Sequence, residues 1–344
     1  MPNLHLEFPV LIGDIGGTNM RFSLILSEKG EQQAIATRQV SDFATIENAI
    51  NEAILPLAKY APKSLFLAIA GPVAGDTIKL TNCNWVIRPE KLMREFHFNE
   101  VFIINDFEAQ ALATIVLPEK YLQPIGGQNI ATSTCQHEKT KVIIGAGSGL
   151  GIAGLVRINE LYIPIEGEGG HIDYAPQSEE DLALFPYLQK IVGRVSAEEL
   201  LSGRGLVNIY CAFCLLRATT PRVEAPEEIS SEALIAHDRQ AFDAVQFFIN
   251  YLARLAGDFA LIFKAEGGVY IGGGILPEMA SLIQPDEFRK NFTKKPPHET
   301  ILEKIPTLIM THPRAALVGM ESYIYQPRRF LLDQENRFWV NNKK

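Results

Sequence analysis

Apolar positions first gather in VLIGDIGGTNMRFSLIL, Val10 to Leu26, where a hydrophobic run stops at Asp14, turns through Gly16 and Gly17, and resumes. Short apolar runs separated by glycine predict strand, turn, strand. SLFLAIAGPV (64–73) and TIKLTN (77–82) extend the strand pattern, and NWVIRPEKLMREF (84–96) predicts a helix. EVFIIND (100–106) then reads as a strand and FEAQALATIV (107–116) as a helix, for a coarse order of β-β-β-α-β-α. A second glycine turn between apolar runs lies in KVIIGAGSGLGIAGLV, Lys141 to Val156, so the architecture reads as duplicated. Later, GGVYIGGGILPEMASLI (267–283) predicts strand, glycine turn and helix, TLIM (307–310) a last strand, and Arg314 to Tyr323 a terminal helix starting just after Pro313.

Antiparallel hairpins that lead into parallel crossovers, twice over, predict an α/β protein with nucleotide in a cleft between two halves. The expected class is the actin-like ATPase, or ribonuclease H-like, two-domain hexokinase-type fold. The boundary is expected near Leu117 to Pro124. Residues 1–117 with about 313–344 then form a small α/β domain, the C-terminal helix returning to pack on it, and residues 118–312 form a large α/β domain.

Composition narrows the function classes. Across 344 residues, 47% are hydrophobic and 21% charged, the balance of a soluble globular chain. A formal charge of −8 opposes binding to nucleic acid or an anionic membrane. Met1 to Pro9 lacks the basic start and apolar run of a secretory signal, and no apolar stretch reaches the length of a membrane span, so a cytoplasmic location is expected. Cys83, Cys135, Cys211 and Cys214 are too scattered for a disulfide framework, and reduced thiols are the simplest reading. Cys211 and Cys214 form a CxxC inside LVNIYCAFCLLRA, an apolar run that predicts a buried helix, with no second ligand pair for zinc.

Candidate chemistry concentrates at strand ends. Gly13, Asp14, Ile15, Gly16, Gly17, Thr18 and Asn19 put one acid and several small residues after a strand, where backbone N–H groups can approach phosphate oxygens. Asp14 suits Mg²⁺ held through water; the alternative is an ordinary turn residue. No Walker GxxxxGK[ST] is present, and Gly147 and Gly149 in GAGSGLG precede a strand rather than a helix, which argues against a dinucleotide fingerprint. Asn105 and Asp106 fall where a strand stops and a helix starts; Asp106 is either a functional group at that edge or the helix N-cap. IEGEGGHIDYAP (165–176) sets Glu166, Glu168, His171 and Asp173 among glycines, without zinc spacing. Such a set can hydrogen-bond adjacent hydroxyls of a polyol, or be a plain polar loop. Ser196 with Glu199 predicts a capping box opening a helix, which leaves Glu198 free for other work.

The blocks GDIGGTN, AIAGPV, LTNCNW, INDFEA, GAGSGLG, GEGGHIDYAP, SAEELLSGRGLVN and GGGILP, in that order across nearly the whole chain, resemble the bacterial ATP-dependent glucokinases of proteobacteria. The zinc-binding cysteine cluster typical of ROK kinases is absent. The resemblance implies that Asn105 and Asp106 contact the sugar, with Asp106 accepting the proton of the 6-hydroxyl of D-glucose, and that Glu168, His171 and Glu198 hold other ring hydroxyls. It implies ATP phosphates on Gly13 to Thr18, a second phosphate loop at Gly147, Ser148 and Gly149, adenosine near Gly272, Gly273 and Gly274, and a homodimer. Ser148 stands where relatives often carry Thr, and RKNFTKKPPHET after Phe288 departs from the family pattern. Other classes remain open. Kinases for another hexose fit the same residues; a sugar sensor on this fold would usually bring a helix-turn-helix, and a chaperone-type ATPase would not need Asp106 with Glu168 and His171.

Overall fold

The computed structural model describes residues 6–81, 83–126, 138–235 and 238–341; Asn82 of LTNCNW and Cys135 lie outside them. The strands are β1 (Val10–Ile15), β2 (Asn19–Ile25), β3 (Gln32–Gln39), β4 (Ser64–Ile69), β5 (Ile78–Lys79), β6 (Val86–Ile87), β7 (Glu100–Asn105), β8 (Leu122–Pro124), β9 (Lys141–Ala146), β10 (Leu150–Ile158), β11 (Leu161–Gly167), β12 (Val269–Gly272), β13 (Thr307–Met310) and β14 (Phe338–Val340). The chain divides into two compact units. The first runs to Leu117 and includes Leu155–Glu166 and everything from His312; the second is Pro118–Gly154 with Gly167–Thr311. Leu155–Glu166, expected in the large domain, therefore packs with the first unit.

In the first unit the sheet order is β14-β7-β4-β1-β2-β3. β1 pairs antiparallel with β2 and parallel with β4, and β4 pairs parallel with β7. Every residue of β4 is buried, as expected of a parallel strand covered on both faces. Helices Asp106–Ala113 and Ala315–Tyr325 cross closely, because a Cβ on Gly319 would lie 1.8 Å from the carbonyl oxygen of Ala109. The other six-stranded sheet has the order β11-β10-β9-β12-β13-β8, with β12 parallel to both β9 and β13. Each sheet thus repeats one scheme: three strands in reversed chain order, two parallel additions, and an antiparallel edge strand, β14 or β8. Helix Arg239–Ile262 is long and apolar enough in composition to cross a membrane, yet 67% of that window is buried in the second unit's core, alongside Phe213, Leu188 and Phe292.

Several sequence expectations are corrected. The helix expected from Asn84 begins at Pro89, and Val86–Ile87 instead pairs with Ile78–Lys79. Proline explains this: it fits the first helical turn and holds Arg88 extended (φ −121°, ψ 100°). Ser196 does not open a helix. It accepts from the Glu199 N–H at 3.4 Å within a turn, and the helix starts at Gly203 under a Ser202 cap. TLIM is not the last strand, since β14 follows and pairs with β7. β3, polar and mostly exposed, has no apolar pattern to announce it. The CxxC lies on helix Gly203–Leu216 with Cys214 buried and both cysteines free. Burial pushes both thiols up, away from reactivity.

Candidate active site

The register of the first sheet aligns Ile15 with Ile69 and Ile69 with Asn105. Asp14 and Asp106 consequently sit at the carboxyl ends of parallel strands separated by β4. This is the edge at which open α/β sheets place function. The helix cap there belongs to Asn105. Its Oδ1 accepts from the Phe107 N–H at 2.8 Å, and Glu108 Oε2 accepts from the Asn105 N–H at 3.0 Å, a complete capping box. Asp106 is therefore the first helical residue and not the cap. Asn105 also donates from Nδ2 to the Gly71 carbonyl at 3.2 Å, so one N–H and one lone pair of its amide remain for a ligand.

Burial pushes the Asp106 carboxyl up to about 8, reinforced by the negative charges of Asp14 and Glu166 against the pull of its own and the Phe107 amide. A carboxyl in that range can take a proton near neutral pH. Burial likewise raises Asp14 to about 6, although Arg21, its direct neighbour across the β1–β2 ladder at 3.4 Å, pulls the other way. Glu108 is 2% exposed; burial and the charge of Glu166 push it up as well. Arg337 Nη1 reaches both Glu108 oxygens, at 3.1 and 2.9 Å, and its Nη2 donates to Glu166 Oε1.

The first glycine turn does less than its sequence suggests. Gly13 is mid-strand, where a Cβ would meet Phe22 at 2.5 Å and Leu67 at 2.8 Å, so packing accounts for that glycine. The Gly16 N–H closes the turn onto the Asn19 carbonyl at 2.9 Å, and the Thr18 carbonyl accepts from the Val40 N–H. Ile15 is fully buried and can offer a ligand its backbone alone.

In the second unit, Gly272 pairs with Gly145 between β12 and β9, so the turns after these two strands share one sheet edge. Gly273 has φ +87°, and a Cβ there would lie 2.2 Å from the Ala146 carbonyl oxygen; no other residue type fits. A Cβ on Gly147 or Gly274 would touch nothing within 4 Å, so there is free space beside both, while the Gly147 N–H is donated to the Gly149 carbonyl at 2.9 Å. Gly149 faces Glu198, whose Oε2 would lie 2.8 Å from an added Cβ and accepts from the Leu150 N–H at 2.9 Å. The Gly203 N–H donates to the Gly147 carbonyl, joining this turn to the following helix. Glu198 is fixed a second time: Ala197 N–H donates to Ile172 and Glu198 N–H to Gly170, each through a carbonyl. Those two bonds hold the 197–198 segment against the GEGGH loop and explain why no helix forms at Ser196. His171 Nε2 and Glu168 Oε2 stand 3.8 Å apart with side chains 53% and 68% exposed. Arg194 braces the loop by donating to Asp173 Oδ1 and to the His171 carbonyl, each at 2.8 Å.

The structure groups the predicted residues into two sets: Asp14, Asn105 and Asp106 on the first sheet's edge, and Gly147, Ser148, Gly149, Glu168, His171, Glu198 and Gly272–Gly274 around the second's. Sequence reasoning missed Arg337, Arg21 and the pairing of Glu108 with Glu166. The Asn105-x-x-Glu108 spacing was a visible capping-box signal; nothing local marks Arg337, 229 residues from Glu108.

A buried carboxyl at a strand end, an exposed carboxylate and imidazole in a glycine-rich loop, and glycine turns at strand ends, carried on twin α/β sheets, fit an α/β sugar kinase. The family profile of glucokinase matches residues 11–327. A glucokinase from Brucella suis biovar 1 (strain 1330) is 45% identical over 333 residues, spanning 97% of this chain and 96% of the relative. Among solved structures, glucokinase from an Antarctic psychrotroph superimposes with a TM-score of 0.79 at 29% identity, covering 93% of this chain and 100% of the other. Glucokinase from Balamuthia mandrillaris in complex with glucose shares the fold, with a TM-score of 0.77 at 20% identity, over 92% and 93% of the two chains. The chain belongs to the glucokinase family, ATP-dependent kinases of hexoses.

Proposed function

We propose that, in transferring the γ-phosphate of ATP to the 6-hydroxyl of D-glucose, this chain uses Asp106 as the base that orients the hydroxyl and takes its proton. The observation carrying this reading is the position of Asp106: a buried, raised carboxyl at a strand end beside Asp14, directly after the Asn105 cap. Phosphoryl transfer passes through a loose transition state, so positioning matters more than early deprotonation. A sugar hydroxyl is a far weaker acid than a carboxylic acid, and Asp106 completes the transfer as the new P–O bond forms.

Glu168, His171 and Glu198 are proposed to accept and donate hydrogen bonds at the remaining hydroxyls, with Asn105 assisting Asp106. Support comes from the exposed imidazole and carboxylate of the loop and from the double anchoring of Glu198. Gly147–Gly149 and Gly272–Gly274 are proposed as nucleotide-contacting turns because they share one sheet edge and two of their glycines have free space beside them. Gly16–Asn19 is proposed as a phosphate-contacting turn through its remaining donors.

Asp14 fits a magnesium site held largely through water. Its carboxyl is raised by burial despite Arg21, so an added cation would stabilise the ionised form. Among the described residues no group of three or more His, Cys, Asp or Glu forms a metal cage, which suits an ion that takes most ligands from water and phosphate. Bound there, magnesium supplies charge neutralisation at the phosphate oxygens. The same reading takes the fold as the actin-like, ribonuclease H-like duplication, on the shared strand order of the two sheets. It also takes the enzyme as a cytoplasmic homodimer, on family resemblance.

The test is Asp106→Asn. Its kcat is expected to fall by about 10²-fold or more, the scale of a lost general base. A folded variant with near wild-type turnover overturns the assignment.

A further inference from the structure

We propose that Arg337 and Glu166 are positioning residues for Asp106: Arg337 locks Glu108, and through it the cap at Asn105 that aims the Asp106 carboxylate, while the Glu166 carboxylate sets the field in which that base works. The inference rests on Asp106 being the base and deepens that reading.

The connection runs through short, buried steps. Glu108 Oε2 holds the Asn105 N–H, one peptide before Asp106, at 3.0 Å. Both Glu108 oxygens accept from Arg337 Nη1, and the two side chains are 3% and 11% exposed. Arg337 is itself tied to the strand that ends at Asn105, because its carbonyl accepts from the Ile103 N–H at 2.9 Å and the next residue, Phe338, pairs with Phe102. The guanidinium therefore reports to the base through backbone on one side and Glu108 on the other. Its second nitrogen, Nη2, holds Glu166 Oε1.

Energetics argue against a purely structural role. Two carboxyls share one guanidinium, and the raised Glu108 carboxyl lies within hydrogen-bond reach of Glu166, so the three groups form one buried cluster. Apolar residues often replace buried ion pairs without loss of stability, so stability alone does not call for this cluster. Burial and then Asp14 raise the Asp106 carboxyl most; the charge of Glu166, held in place by Arg337, adds to them. The charged and titratable groups around this edge are Asp14 and Arg21 from β1 and β2, Glu166 from β11, Glu108 on the helix of Asp106, and Arg337 with Asp333 from the C-terminal segment. Arg21 pairs with Asp14, which leaves Glu166 and Arg337 as the adjustable elements.

The experiment compares kcat/KM for glucose against pH, kcat, KM for ATP and the melting temperature in wild type, Glu166→Gln, Arg337→Lys, Arg337→Gln and Asp106→Asn. Glu166→Gln keeps an acceptor for Arg337 but removes the charge, and is expected to move the acid limb of kcat/KM to lower pH by about half a unit or more. Arg337→Gln is expected to lower kcat about tenfold or more with KM for ATP changed less than about twofold, and Arg337→Lys to recover part of the loss. An acid limb unmoved in Glu166→Gln overturns the role of Glu166. Wild-type kcat in the folded fraction of Arg337→Gln overturns that of Arg337; if that variant does not fold, Arg337→Lys with wild-type kcat and limb does the same. Failure of the underlying reading looks different, because Asp106→Asn would then retain turnover.

Discussion

The two sheet edges carry acids in opposite settings. On the first, the Asp14 and Glu108 side chains are 14% and 3% exposed, each beside an arginine, and burial drives Asp14, Asp106 and Glu108 toward the neutral form. On the second, Glu168 and His171 stand more than half exposed in a glycine-rich loop braced by Arg194. The difference follows the task. Taking a proton from a weak acid calls for a desolvated carboxylate, because desolvation raises its affinity for protons. Recognising a hydroxyl calls for accessible acceptors and donors whose backbone is fixed, and the 170–172 carbonyls and Leu150 N–H supply that fixing for Glu198.

Charge removal at the two edges should separate these tasks. The largest effect is the loss of about 10²-fold or more in kcat for Asp106→Asn. Next, Glu168→Gln or Glu198→Gln should raise KM for glucose by about tenfold while moving KM for ATP much less, as expected for one hydrogen bond to a charged group. Equal changes in both constants, read from initial rates over a grid of the two substrates, would remove these residues from the sugar site. The smallest effect is on stability and has the opposite sign to that on activity. Asp106 is raised from 3.8 to about 8, so the folded chain keeps a proton that the unfolded chain releases, and stability is lost as pH rises across that window. Asp106→Asn abolishes this loss. Its melting temperature should exceed that of wild type by about 2 °C or more at pH 8, with the gap closing toward pH 4. A gap independent of pH, in calorimetry across that range, would mean that Asp106 does not hold the proton.

The hairpin at Val10–Ile25 and the strand-to-helix step at Asn105 were legible because apolar runs and glycines are local signals. So was the duplication, which reappears as one strand order in both sheets. What could not be read locally was decided by tertiary contacts. The pattern with Glu199 points to Ser196 as a cap. Two backbone bonds to the GEGGH loop pin Ala197 and Glu198, so the helix waits for Ser202. The ambiguity at Asp106 was of the same kind. From sequence Asp106 is either the cap or a functional group, and side-chain geometry gives the cap to Asn105. Arg337 lies outside any recognisable pattern, since its significance is created by β14 folding back onto β7.

The central claim, that burial makes the first edge a proton acceptor near neutral pH, is tested most directly by kcat/KM for glucose measured from pH 5 to 9 at substrate levels where the free enzyme reports. With the Asp106 carboxyl at about 8, the value should climb about tenfold per pH unit on the acid side and level off near that point. A profile already flat from pH 5, with Asp106 ionised like an ordinary surface carboxylate, would contradict it.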